Sequence, residues 1–421
     1  MSQPLSAFDA AAVLIVLAAV LGYVNHRFLK LPASIGLTMM GAVASLGVIA
    51  VDHLMPGGNL SLAVANFLDH VDFHTTLMNG MLSFLLFAGA MHIRWHDLKQ
   101  GFWPVLVLST VGTIASTLLV GFGFLWLTQV LGLPVPVMWC FVFGALISPT
   151  DPVAVIAVLK RAAVPPALEA TVAGESLFND GVGVVIFTIV LAAALGSGDI
   201  TPAHAAVEFF RETGGGILLG AVTGAIALFA MSRIDDYNVE VIITLAVVMG
   251  GYSLGQALGV SGPVAMAVAG LIIGNIGLDK VMSATTRDYV QKFWALIDEI
   301  LNAVLFLLIG LEVIAISKDA RLILVGLCAV PMVLAVRAVS VILPMAALRP
   351  FLSLGRLAVP VLVWGGLRGG IAIALALSLP NSAARSIILA STYVIVLFSV
   401  IVQGGSIATV VKRLTPAPTL H

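Results

Sequence analysis

The chain is 421 residues long, 60% hydrophobic and only 10% charged, with a mean hydropathy of +1.12. Soluble domains carry about a quarter of their residues as charges, so this composition excludes a soluble globular fold and specifies an integral membrane protein. A net charge of −1 gives no electrostatic basis for binding nucleic acid.

Apolar runs of membrane-crossing length recur along the whole chain, and a hydrocarbon core takes about 20 helical residues to cross. Read in order between charges, glycines and prolines, they predict thirteen helices. The spans are 8–26, 33–51, 75–92, 103–130, 136–159, 171–195, 205–232, 238–258, 262–276, 288–316, 321–348, 356–379 and 384–411. Met1–Asp9 contains no Lys or Arg; a secretory signal needs a basic start, so the first run is read as a membrane helix. Residues 52–74 are expected to be the longest loop, acidic and His-bearing, and no soluble domain is expected after Arg413. Cys140 and Cys328 both sit in apolar runs and read as packing residues. Histidines 26, 53, 70, 74, 92, 96 and 204 fall near predicted membrane edges, where solvated interfacial side chains are the simplest reading.

The positive-inside rule orients the chain. With thirteen crossings and a cytoplasmic C-terminus, fourteen of the twenty basic residues lie in inside loops, among them Arg27, Lys30, Lys160, Lys280, Arg349, Arg356 and Arg413. Only Arg211, Lys318, Arg321 and Arg385 lie outside, while Arg337 and Arg368 fall within helices. The N-terminus is therefore expected outside.

Two predicted helices are interrupted. The fifth contains Ser148-Pro149-Thr150-Asp151-Pro152. Proline removes a donor and clashes with the preceding turn, and Thr150 or Asp151 can cap the half-helix that Pro152 begins. The twelfth contains Gly365-Gly366-Leu367-Arg368-Gly369-Gly370, four glycines around one arginine. Broken helices at corresponding places in two halves of a chain point to a transporter binding site. The fifth and twelfth correspond if helices 1–6 and 8–13 are inverted repeats. The expected fold class is thus an all-α polytopic membrane protein with two crossed discontinuous helices. Gly216, Gly220, Gly224 and Gly251, Gly255, Gly259 recur at spacing four and predict close-packing faces on helices seven and eight.

The sixth helix carries Glu175, Ser176, Asn179 and Asp180. On an ideal helix Glu175, Asn179, Ser176 and Asp180 fall at about 0°, 40°, 100° and 140°, so one polar sector holds two carboxylates, an amide and a hydroxyl. Intramembrane acids are costly and mark function. Hard cations want such oxygen ligands, and Thr150 with carbonyls freed at the break can add more. A carboxylate there is contested by proton and cation, which is enough for exchange. Gly181 and Gly183 allow a neighbour close approach. Asp151 is a further candidate for ion or proton binding. Arg368 keeps its charge and needs a permanent partner: carbonyl ends of half-helices, Asn179, Glu299 or Glu312. Glu299 is placed at a possible cytoplasmic funnel.

At these residues the chain resembles the monovalent cation:proton antiporter family, in the branch of NhaP-type proteins and animal sodium/proton exchangers. The resemblance rests on SPTDPVAV at 148–155, GESLFNDGVGVV at 174–185, DEILNAVLFLLIGLE at 298–312 and GGLRGGIAIALAL at 365–377. It implies a homodimer in the plasma membrane of a prokaryote, with lipid, monovalent cations and protons as partners and no cofactor. It implies dimer or scaffold helices over 8–92 and 205–316, and core ion-transport helices over 103–195 and 321–413. Asp180 would be the proton-exchanging acid, with Thr150, Glu175 and Ser176 coordinating Na+. The Asn179-Asp180 pair resembles that of the electroneutral branch. Many relatives carry a glutamate in the third helix that can pair with the arginine of the twelfth; here Ala88 takes its place.

The activity expected is proton-driven export of Na+ or Li+, not enzymatic catalysis. Potassium/proton exchange is the alternative within the class. A cation channel and an intramembrane aspartyl protease using Asp151 and Asp180 are rivals from other classes. No phosphate-binding Gly-rich Lys loop is present for ATP.

Overall fold

In the computed structural model the described residues are 7–54, 60–161, 164–196, 201–315, 319–348, 355 and 357–414. Helix occupies each predicted span. The elements are α1 (Ala7–Val24), α2 (Ala33–Leu54), α3 (Leu60–Val71), α4 (73–91), α5 (Phe102–Val130), α6 (Val137–Ile147), α7 (Val153–Arg161), α8 (Pro166–Ala194) and α9 (Pro202–Met231). They continue as α10 (Tyr237–Leu258), α11 (Gly262–Val281), α12 (Ala284–Leu311), α13 (Ala320–Ala347), α14 (Ala358–Trp364), α15 (Gly370–Leu377) and α16 (Ala383–Leu414). Among the described residues, nine helices are long and apolar enough to cross a membrane.

The predicted fifth helix is the pair α6 and α7, and the predicted twelfth is the pair α14 and α15, each broken where proline or glycine defeats the helical ladder. The expectation of a loop over 52–74 needs correction, because α3 lies within it. Its Leu68 and Val71 are buried, and Asp52 accepts hydrogen bonds from the Leu60 and Ser61 amides at 3.1 and 2.6 Å. Twelve residues of helix span only about 18 Å, so a search for membrane-length runs passes over such a segment. Lys318, Arg349 and Arg356, used in the orientation argument, lie outside the described residues, as do the side chains of His70 and Arg161.

Small residues set the packing on one side of the molecule. A Cβ at Gly220 of α9 would lie 2.3 Å from the Ala265 carbonyl oxygen of α11, and one at Gly251 of α10 would lie 2.6 Å from Met266 Cε. Gly259, expected on the same face, instead ends α10 in the left-handed region at φ 64°. An apolar cluster of Phe87, Tyr252, Met266 and Trp294 fills the space between α4, α10, α11 and α12. A second cluster, with Val155, Leu168, Val361 and Leu367, surrounds the breaks. Cys140 and Cys328 are free thiols.

Candidate functional site

The two breaks cross. The Asp151 amide donates to the Leu367 carbonyl at 2.8 Å, a single antiparallel bridge between the unwound segments. Glycine makes the approach possible, since a Cβ at Gly369 would lie 2.4 Å from Asp151 Oδ2. The prolines then dictate what else must gather there. Pro152 has no N–H to offer the Ser148 carbonyl, and the Val153 amide donates to Asp151 Oδ1 at 2.9 Å. Arg368 fills the gap, donating from Nη1 to the Ser148 carbonyl and to the Pro149 carbonyl at 3.0 Å.

A second arginine serves the other break. Arg337, on α13, donates to the Leu362 carbonyl near the end of α14 from Nε at 3.2 Å and Nη2 at 2.8 Å. Its Nη1 and Nη2 also hold both carboxylate oxygens of Glu175, at 2.8 and 2.9 Å. Each first half-helix thus ends on a guanidinium, where the macrodipole is negative. Asp151 caps α7 and abuts the glycines that begin α15, so a negative charge faces both positive half-helix ends. The two arginine fastenings are dry: Glu175 is 1% exposed and Arg368 2%, while Asp151 is half-buried.

The polar sector predicted on the sixth helix is present on α8, but its members divide. Asn179 Nδ2 donates to Thr150 Oγ1 at 2.8 Å and to Glu175 Oε1 at 3.1 Å, while its Oδ1 accepts from the Thr150 amide at 3.2 Å. Ser176 Oγ and Thr150 Oγ1 are 3.0 Å apart. Gly183 lets α8 come this close, since a Cβ there would meet Pro149 at 2.3 Å. Asp180 points elsewhere, into a cavity of about 350 Å³ that Thr150 and Asp151 also line. Leu77, Leu86 and Leu305 are among its apolar lining, and Lys160, Asp298 and Asn302 also border the cavity.

Of the six predicted ion-binding residues, Asp180, Thr150 and Asp151 line the cavity; Glu175, Ser176 and Asn179 stand behind Thr150. Glu175, expected among the cation ligands, has both oxygens engaged by Arg337. Arg368 takes carbonyl ends, one of the four partners considered. Glu312 instead accepts from the Tyr393 hydroxyl at 3.0 Å. Ala88 is fully buried in the apolar cluster around Trp294. Glu299 is exposed and lines a separate vestibule. Sequence reading missed Arg337. Its signal was available: an arginine in the middle of a 28-residue apolar helix is a functional hypothesis in its own right. Among the described residues no group of three or more His, Cys, Asp or Glu is placed to hold a metal ion.

A family model described as sodium/hydrogen exchanger, transmembrane, matches residues 15–413. The sequence is 43% identical over 411 residues to the Na(+)/H(+) antiporter NhaP of Pseudomonas aeruginosa, covering 96% of each chain. It is 32% identical over 400 residues to the Na(+)/H(+) antiporter NhaH of Halobacillus dabanensis, covering 92% of this chain and 93% of the relative. The fold matches the sodium proton antiporter MjNhaP1 of Methanocaldococcus jannaschii with a TM-score of 0.74, over 97% of this chain and 98% of that one, at 21% identity.

Proposed function

The chain belongs to the sodium/hydrogen exchanger family, and from that premise we propose that it is a sodium/proton antiporter working by alternating access at Asp180. The observation that carries this reading is the position of Asp180: an acid 9% exposed, facing a cavity of mainly apolar lining, beside the unwound crossing. A bare carboxylate there costs several kcal/mol, so it is accompanied by a proton or by a cation. The two compete for one site, and that competition couples their flows. Thr150 supplies a hydroxyl oxygen at the cavity wall, and Ser176 and Asn179 hold that hydroxyl in place. Glu175 contributes by orienting Asn179.

Charge counting supports an electroneutral exchange. Arg337 and Glu175 balance, and Arg368 and Asp151 balance, which leaves Asp180 as the one unmatched charge at the crossing. One proton or one sodium ion neutralises it equally. External protons then load Asp180 and release Na+ or Li+ outside; the loaded site reorients, and internal sodium displaces the proton. The cavity reaches Lys160, whose side chain is 61% exposed and which the charge pattern assigns to the cytoplasm. The state is therefore inward-facing, with the N-terminus outside and the C-terminus inside a prokaryotic plasma membrane. The dimer and the scaffold and core division implied by the resemblance complete the proposal.

The test uses purified protein in liposomes containing a pH-sensitive dye, with an imposed pH gradient and additions of sodium, lithium or potassium. Wild type should collapse the gradient with sodium, and clamping the voltage with a potassium ionophore should change nothing. Asp180→Asn should fall to the rate of empty liposomes. Exchange by Asp180→Asn at the wild-type rate would overturn the site. A response to potassium alone would replace the cation and keep the mechanism, and ion flux with no coupled proton would mean a channel.

A further inference from the structure

The cavity holding Asp180 is separated from a larger vestibule of about 750 Å³, which His26, Lys30 and Glu299 line. Three residues border both spaces: Val153 at the start of α7, and Asp298 and Asn302 on α12. They stand at the boundary between the two spaces, so an ion moving directly from vestibule to site would pass them, and we call this boundary the neck. Val153 is apolar, so the polar chemistry of the neck is that of the other two. Asn302 Nδ2 donates to Asp298 Oδ1 at 3.0 Å, one helical turn away, which fixes the carboxylate at the edge of the passage. The amide oxygen of Asn302 is left as an additional acceptor. Lys160, at the far end of α7, borders the cavity too. Its ammonium is held only loosely, 3.7 Å from Glu169 Oε1, and lies within electrostatic reach of Asp298.

We propose that Asp298 and Asn302 form an entry station for the monovalent cation, a weak oxygen site at the neck, and that Lys160 partly shields it. The inference rests on the antiport reading above and adds a second place where the ion pauses. A half-buried carboxylate between two cavities concentrates cations locally, while the amide oxygen replaces part of the water a passing ion gives up. The nearby ammonium acts as a tethered rival cation. Asp298 holds the ion only in transit in this scheme: it raises the occupancy of Asp180 by sodium and takes no part in the proton exchange.

The experiment measures KM and kcat for sodium in proteoliposomes, at low ionic strength and again with added choline chloride. Asp298→Asn should raise KM about fivefold, the scale of one unit charge in a partly hydrated setting, with kcat retained. Choline chloride should shrink the difference by screening. Lys160→Gln should move KM in the opposite direction, and Asp298→Glu should restore the wild-type value. An unchanged KM in both Asp298→Asn and Lys160→Gln, or a loss confined to kcat, would overturn the station. If Asp298→Asn does not fold, the Lys160→Gln shift and its salt dependence decide alone. Asp180→Asn runs beside them: if it exchanges like wild type the antiport reading has failed, whereas a dead Asp180→Asn with unmoved neck variants removes only this inference.

Discussion

The crossing of the broken helices and the bundle of α9, α10 and α11 are built on opposite principles. At the crossing, proline and glycine strip the backbone of its own partners, and buried arginines, an aspartate and an asparagine replace them. In the bundle the backbone is satisfied within each helix, and glycines let helices meet at backbone distance. One region is held by charge and hydrogen bonds, the other by fit. The lesson is that the first is sensitive to what a side chain carries, the second to how large it is.

That contrast predicts a ranking. Arg337→Ala should have the largest effect, because it leaves Glu175 buried without its partner and removes the donor to the Leu362 carbonyl. A loss of about 3–5 kcal/mol is expected, read as a drop in the melting temperature of the detergent-solubilised protein, together with loss of exchange. Adding Glu175→Gln to that variant should recover part of the stability; no recovery would mean that the pair is not the source. Next, Gly220→Ala places a methyl on the Ala265 carbonyl and should cost about 1–3 kcal/mol. The protein that survives should keep its wild-type KM for sodium, and an altered KM would break the separation between the two regions. Smallest, Trp294→Phe keeps most of the buried ring and removes the donor that binds Thr244 Oγ1 at 3.0 Å. A loss of about 1 kcal/mol is expected, with no change in exchange rate per folded molecule.

Much of the fold was legible because membrane helices announce themselves by length and hydropathy, and because Pro149, Pro152 and the glycines around Arg368 mark where two of them fail. The polar sector of α8 was equally visible from spacing alone. What could not be read is the set of partners. The carbonyls that hold Arg368 are backbone atoms, freed by prolines some 220 residues away in the chain, and no side-chain pattern names them. Glu175 looked like a cation ligand because Arg337 stood outside every motif, and only the packing of α13 against α14 and α8 shows that its oxygens are taken. The division of the polar sector, with Asp180 facing the cavity and Asn179 facing Thr150, depends on which neighbour each side of α8 meets. The helix α3 was passed over for a simpler reason: it is shorter than a membrane is thick.

The bridge between Asp151 and Leu367 has a mechanical consequence. One backbone bond ties the two unwound segments, Arg368 reaches across it to the end of α6, and Arg337 fastens the end of α14 to α8. To slide one half-helix past its counterpart would break these fastenings together in a dry interior. The crossing is therefore braced as one unit, and the antiport proposed above would have it change sides whole, with its ion, and not by one half-helix sliding past the other.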